Sequence, residues 1–405
     1  MKKKLVAYTF FVLVLSTYTS IMVKWQFSPY LFFVKDLKKN ITLVTNPSFI
    51  NTSDLTLEIN NSKDQKFGSL VNLSKTKITE SFIVNNFNFH WGKVKTKDLR
   101  KIGAAELRGE NIWYVNQDDY HLINKLGLDN KIISNGGIKS IFSINNKSYV
   151  YIAYVDGVCA TARLVDLASM KIALQLSCLP DAENADLNAV GGGWLKLSNN
   201  TVLLSTGTPT MVNVDHKINQ TAQLDESLWG KILKLNLVND KLMVEIFSKG
   251  HRNPQGIAQI GKDIFAVEHG PMGGDEINRI QKGNNYGWPL QSLGSQYDLE
   301  SINKSYIKPI MTQAPLLSFV PSIGISDIDK CPQVYTDYYA PNDCLAVSSM
   351  RGKAIDFIVY KNGAVLFTEK MQFKDRIRKF FVRGNTIVAV TDLEGVIIGN
   401  LSKLH

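Results

Sequence analysis

Beyond about residue 85 the chain is written in short β-branched and aromatic runs separated by Gly, Asn, Asp and Pro. Asn111–Val115, Ser148–Tyr154, Thr201–Ser205, Ile232–Asn236, Leu242–Phe247, Asp263–Val267, Ala354–Tyr360, Val365–Thr368 and Thr386–Val390 are examples. Most span five to seven residues, the ordinary length of a strand. Apolar spacing at 3.6 residues is not sustained over a dozen positions anywhere after the first two dozen, so the pattern predicts an all-β domain over residues 86–405. Many short strands mean a sandwich, a barrel or a propeller. Roughly 320 residues are too many for one sandwich, whereas six four-stranded blades of about 50 residues each fit a β-propeller.

The ends of the pattern differ from its middle. Lys2, Lys3 and Lys4 precede an uncharged run from Leu5 to Val23, closed by Lys24. Such a run is long enough to cross a bilayer as a helix, and its basic start directs the downstream chain outward. Residues 1–24 therefore read as a transmembrane anchor, or as a signal peptide given the small polar stretch Ser16–Ser20. Either reading exports the rest, to the periplasm or another extracytoplasmic space, with residues 5–23 as an inner-membrane tether in the first. Residues 25–85 are polar and read as a spacer, with a strand or two near Ser81–Val84.

Composition refines this picture. Apolar residues make up 44% of the chain, enough for a sizeable core. The net charge of +10 is the difference of 46 basic and 36 acidic residues spread along the whole length. No basic stretch with interleaved aromatics appears, which argues against a nucleic-acid partner. Cys159, Cys178, Cys331 and Cys344 permit two disulfides in an exported chain, nearest neighbours pairing first, and lack zinc-finger spacing.

Two segments carry unusual chemistry. Gly250-His251-Arg252-Asn253-Pro254-Gln255-Gly256 is a sharply shaped loop that sets a fixed cation beside an amide, a pair suited to a planar carboxylate. A loop whose arginine caps carbonyls is the plainer reading. Glu268-His269-Gly270-Pro271-Met272-Gly273-Gly274-Asp275-Glu276-Ile277-Asn278 exposes main-chain carbonyls beside the carboxylates of Asp275 and Glu276, the oxygen donors that calcium takes. An ordinary capped turn is the alternative.

With Gly283-Asn284-Asn285-Tyr286-Gly287-Trp288-Pro289, these segments resemble the glucose/sorbosone dehydrogenase family, soluble sugar dehydrogenases that use pyrroloquinoline quinone (PQQ). The resemblance runs from about residue 85 to the end and implies a six-bladed propeller with the cofactor on its top face. It implies cofactor contacts from Arg252 and Asn253, from Arg351 within Ser349-Met350-Arg351-Gly352, and from Arg376 and Arg378 within Asp375-Arg376-Ile377-Arg378. Side chains two apart on a strand share a face, so the last two would both meet the pocket. Gln117 falls where the first blade would offer a polar contact. The main-chain oxygens of Gly270 and Pro271 match the family's calcium ligands. Four arginines and calcium would together offset the three carboxylates of PQQ.

One neighbourhood departs from the family. The histidine that accepts the proton of the sugar's anomeric hydroxyl is replaced here by Val190, its neighbouring aspartate by Ala189, and the following arginine by Trp194. A Thr-Gly-Asp becomes Thr206-Gly207-Thr208. Neither Ala nor Val takes a proton, and general-base catalysis contributes a hundred- to ten-thousand-fold. His216, on the loop after Thr208, is the substitute base within the sequence's reach. Three functions follow: a PQQ-dependent aldose dehydrogenase with a relocated base, a propeller that binds cofactor, calcium or ligand without turnover, and a scaffold that keeps the fold alone.

Overall fold

The computed structural model describes residues 68–96, 99, 101–128, 136–180, 185–209, 216–295 and 311–404. Six antiparallel sheets succeed one another along the chain. Blade 1 holds Ile102–Arg108, Asn111–Asn116 and, on its outer side, Ser69–Asn72; blade 2 begins Gly137–Ile144, Lys147–Asp156, Cys159–Asp166. Blade 3 is Gly191–Ser198, Thr201–Thr206, Lys231–Val238, Lys241–Lys249, and blade 4 is Pro254–Ile260, Asp263–Glu268, Asp275–Ile280, Leu317–Phe319. Blade 5 is Ile325–Lys330, Asp343–Ser349, Ala354–Lys361, Ala364–Gln372. Blade 6 is Ile377–Arg383, Thr386–Thr391, Val396–Lys403, completed by Phe87–Val94 and Glu80–Val84 from the other end of the chain.

That last pairing closes the ring. Val396 to Lys403 run antiparallel to Val94 to Phe87 without a break in register, so the first and last parts of the domain are zipped into one sheet. The first strands of the six blades touch in sequence around an axis, blade 6 returning to blade 1. Two strands, Ser69–Asn72 and Glu80–Val84, lie ahead of the expected boundary at residue 86. Glu80–Val84 covers the strand expected near Ser81–Val84, while Ser69–Asn72 is only four residues long and lies in a polar stretch.

Each sheet is apolar on both faces, and the core is divided among the seams between blades. Phe142, Tyr151, Leu164, Val190, Leu204, Trp229 and Leu233 fill the seam of blades 2 and 3. Equivalent apolar clusters fill the other five seams. Second strands are therefore buried on both faces, as Val150–Ala153 show, while outer strands such as Ala364–Gln372 alternate exposed and partly buried. Disulfides join Cys159 to Cys178 and Cys331 to Cys344, as nearest-neighbour pairing expects. The run 5–23 lies outside the described residues; among the described residues no helix is long and apolar enough to cross a membrane.

Candidate cofactor site

The inner strands share one irregularity. Each loses register with its neighbour near its start: between Ile102 and Ala104, Ile138 and Ser140, Gly191 and Trp194, Pro254 and Gly256, Ile325 and Asp327, and Ile377 and Lys379. A β-bulge adds one residue against the partner strand and re-aims its side chain. The extra residues are Gly103, Lys139, one of Gly192 and Gly193, Gln255, Ser326 and Arg378. Gly103, Lys139, Gly192, Gln255, Ser326 and Arg378 all line a cavity of about 660 Å³ at one end of the propeller axis. Six blades thus deliver six bulges to one hollow, of the size that small-molecule sites take.

Its wall is cationic. Lys101, Lys139, Arg376, Arg378 and Lys379 line it against Asp118, the one acidic group of the wall among the described residues. Further carboxylates stand behind the cations and offset part of their charge. Asp392 meets Arg376 at 3.4 Å and takes a two-pronged contact from Arg378. Asp327 sits 3.5 Å from Lys379, and Lys101 pairs with Asp118 at 3.7 Å. Burial draws Lys139 down to about 7, partly countered by the charge of Asp186. Polar neutral groups complete the lining: Gln117, Asn188, Asn253 and Gln255. The Asn253 side-chain oxygen accepts the Gly191 N–H at 3.1 Å and the Gln255 amide at 2.7 Å, and Gln117 donates to the Gly136 carbonyl. A second cavity of about 360 Å³ lies further along the same strands and shares Gly103, Lys139, Gly192 and Lys379 with the first.

The two motif loops build one edge of this site around Glu268. Its buried carboxylate accepts from the Arg252 main-chain N–H at 2.8 Å, His251 Nδ1 at 3.1 Å and the Asn278 amide at 2.8 Å. Burial alone would raise its pKa, but the His251 ring and these donors hold it below the ordinary value. His251 is fixed in turn by Ser248 Oγ at 2.9 Å and by stacking on Tyr286. The Arg252 guanidinium donates to the carbonyls of His269, at 3.2 Å, and Gly270, at 2.9 Å, and lies over the Trp288 ring. Trp288 Nε1 donates to Thr208 Oγ1 at 2.9 Å, so the altered Thr206-Gly207-Thr208 turn braces the tryptophan under that arginine.

The structure brings together some of the expected residues and separates others. Asn253, Gln117, Arg376 and Arg378 line the cavity. Arg378 does so as a bulge residue and Arg376 from just before the strand, not by strand alternation. Arg252 lines a small neighbouring hollow with Gly270 and Trp288. Arg351 is exposed on the turn after Asp343–Ser349, and Met350 faces the cavity in its place, its sulfur accepting from Arg376. Val190 is fully buried in the seam of blades 2 and 3, with its carbonyl taking the Tyr151 hydroxyl at 3.1 Å. His216 caps the short helix Lys217–Gln220 through Nδ1 and does not line the cavity. Lys139, Lys379 and Ser326 belong to the site without a motif to announce them; the glycines at 136 and 137 are the nearest signal.

Three of the expected calcium donors, Gly270, Asp275 and Glu276, accept hydrogen bonds. The Gly270 carbonyl accepts from Arg252. Asp275 spends its oxygens on the main-chain N–H groups of Gly270, at 3.2 Å, and Ile325, at 3.0 Å. Burial, and then the charge of Glu268, push Glu276 up to about 8, so it stands protonated at neutral pH. Pro271 is buried beside Gly294. Any side chain on Gly270 would run into the carbonyls of Gly273 and Gly274, which keeps this turn tight. Among the described residues no cluster of three His, Cys, Asp or Glu side chains is placed for a metal.

Comparison with known proteins agrees with the geometry. A family model described as glucose / sorbosone dehydrogenase matches residues 133–398. The aldose sugar dehydrogenase YliI of Escherichia coli is 36% identical over 132 residues, 28% of this chain and 36% of its own. An uncharacterised Synechocystis protein is 36% identical over 149 residues, 33% of this chain and 36% of its own. Quinoprotein glucose dehydrogenase B of Acinetobacter calcoaceticus is 45% identical over 71 residues, 15% of each chain. The matched stretches thus span about a third or less of these relatives. Among solved structures, a glucose dehydrogenase superposes with a TM-score of 0.55 at 18% identity over 83% of this chain and 99% of its own. The apo soluble aldose sugar dehydrogenase of Escherichia coli gives 0.54 at 18% identity over 83% and 100%. At that identity these two speak for the shared fold alone.

Proposed function

The chain belongs to the glucose/sorbosone dehydrogenase family, and we propose accordingly that it binds PQQ in the 660 Å³ cavity and acts as an aldose oxidoreductase of this class. The observation that carries the reading is the ring of six bulges turned onto one cationic hollow. A wall of five basic side chains and one carboxylate favours a polyanion, and PQQ brings three carboxylates. When bound, the quinone supplies the hydride acceptor for oxidation at a sugar's anomeric carbon.

The chain's own residues do the rest. Arg376 and Arg378 are held by Asp392, so their guanidiniums lose little freedom on meeting a carboxylate. Asn253, itself anchored by Gly191 and Gln255, fixes the planar edge of the ligand.

A second reading is favoured by Val190: with that side chain in the core, the family's base position offers nothing to a substrate. The protein would then bind the cofactor without turnover. Titrating PQQ into the full chain while monitoring its absorbance and the thermal midpoint tests binding; at a hundredfold its Kd a ligand adds about 2.7 kcal/mol. Dye reduction across a panel of aldoses then separates the readings. Binding with turnover supports the first, binding with none of the sugars oxidised supports the second, and no shift in either signal overturns both. The two disulfides suit an oxidising compartment, and we propose export with residues 5–23 as the tether. Protection of the propeller from protease in intact cells, lost when the outer envelope is opened, is the expected result; protection that persists would refute it.

A further inference from the structure

The six bulges build a second ring as well as the first. The residue that resumes regular pairing after each bulge is Ala104, Ser140, Trp194, Gly256, Asp327 and Lys379 in turn around the propeller. All six line the 360 Å³ cavity, and of these only Lys379 also lines the larger one. Each inner strand therefore gives its bulge to one hollow and the residue after it to the other. At this volume the second hollow is again of the size that small-molecule sites take.

Its chemistry differs from that of the first. Among the described residues the larger cavity sets five cations against one carboxylate, whereas the smaller sets three lysines against two aspartates. Within the ring itself the two charges cancel, because Lys379 and Asp327 stand 3.5 Å apart. Both are held in place: the Lys379 ammonium donates to the Gln255 carbonyl at 3.1 Å, and Asp327 accepts the Phe380 N–H at 3.4 Å. A carboxylate has about four lone-pair sites, so Asp327 keeps acceptor capacity for a further hydroxyl. Gly256 makes room for it, since a Cβ there would fall 2.6 Å from Asp327 Oδ1.

Two members of the ring point to what would fill it. Ser140 is only 3% exposed, and its Oγ has no hydrogen-bond partner among the described residues. Buried hydroxyls are ordinarily paired, and the cavity that Ser140 lines is where a partner would enter. Trp194 packs on Phe142, ring centroids 5.7 Å apart, and lends the cavity an indole wall, continued by Ile257 and Phe381. A flat apolar wall facing a hydroxyl, a carboxylate and an ammonium suits a ligand that is apolar on one face and carries several hydroxyls at its edge. The near balance of charge favours a neutral one.

We infer that the smaller cavity is a second binding site, for a neutral sugar ring of hexose size. Trp194 meets the C–H face of the ring, Ser140 pairs with one hydroxyl, and Asp327 and Lys379 accept from and donate to others. The inference stands whether or not the larger cavity holds PQQ.

The test is saturation-transfer NMR and calorimetric titration of the full chain without PQQ, with D-glucose, D-galactose, D-mannose, D-glucuronate and glycerol as probes. At least one of the three hexoses should bind saturably and about tenfold or more tighter than glycerol. D-glucuronate should bind no more tightly than that hexose, whereas binding in the larger, cationic cavity would favour the acid. Trp194→Leu and Ser140→Ala should each weaken the hexose about tenfold. Trp194→Phe keeps an aromatic wall and should retain most of the affinity, which guards against a misfolded leucine variant. Saturable binding by none of the hexoses overturns the inference. So does a preference for glucuronate, or hexose binding that Trp194→Leu and Ser140→Ala both leave intact.

Discussion

Replacing Glu276 by Gln should stabilise the protein at pH 8 and leave it nearly unchanged at pH 4. Glu276 is partly buried on the third strand of blade 4, its Oε2 accepting from Asn278 at 3.2 Å. Burial first, and the neighbouring Glu268 charge second, raise its pKa to about 8. A folded value above the unfolded one means the native state holds a proton that the unfolded chain has lost. The stabilisation this gives is fully present below about 4.5 and is lost as pH rises through 8. Each pKa unit is worth about 1.4 kcal/mol; the full shift would approach about 5 kcal/mol, and solvent at this partly open site and relaxation of the coupled pair bring it to about 2–4 kcal/mol. Glutamine keeps the acceptor for Asn278 and never ionises, so it escapes the loss. In a propeller of this size a kcal/mol moves the thermal midpoint by about 2–4 °C. Thermal unfolding of both chains from pH 4 to 9 should therefore show curves that nearly coincide at the acid end and part by about 5 °C or more at pH 8. An offset that is constant with pH, or a variant that melts below the natural chain at pH 8, would refute the assignment of Glu276 as the protonated member of the pair.

Other substitutions probe the site and its supports. Arg378→Met removes a bulge cation and frees Asp392 to repel an anion, so PQQ affinity by equilibrium dialysis should fall about tenfold to a hundredfold. Val190→His should not restore the family's base: the side chain enters the sealed seam beside Tyr151 and Trp229, costing about 1–3 kcal/mol in urea unfolding with no gain in dye reduction. Lys231 is fully buried, and its ammonium donates to the carbonyls of Thr221 and Trp229 at 2.8 Å and Ala222 at 3.0 Å. Lys231→Met strips all three and should cost about 3 kcal/mol, read as a lower urea midpoint.

What the sequence discloses about this propeller depends on which strand is read. Second strands such as Lys147–Asp156 are packed on both faces and stand out as unbroken apolar runs. Outer strands such as Ala364–Gln372 alternate and are equally plain. The first strand of each blade is the obscure one, because a bulge at its start breaks the period of two and glycines thin its pattern: Gly191-Gly192-Gly193 opens one of them. Those same bulges aim residues at the axis, so the irregularity that conceals the strand also makes the site. Arg378 is legible only through its motif, and Lys139, alike in geometry, has none. The missing base at Val190 is legible as chemistry; that the position is closed within a seam depends on Tyr151 and Trp229, far away in sequence. The expected calcium donors show the same limit. The Gly270 carbonyl accepts from Arg252, a partner that comes from another loop. Residue types and spacing reveal which groups are present, whereas the contacts they are left free to make are settled by the fold. In this propeller the residues that depart from regular strand geometry are the ones the cavity uses.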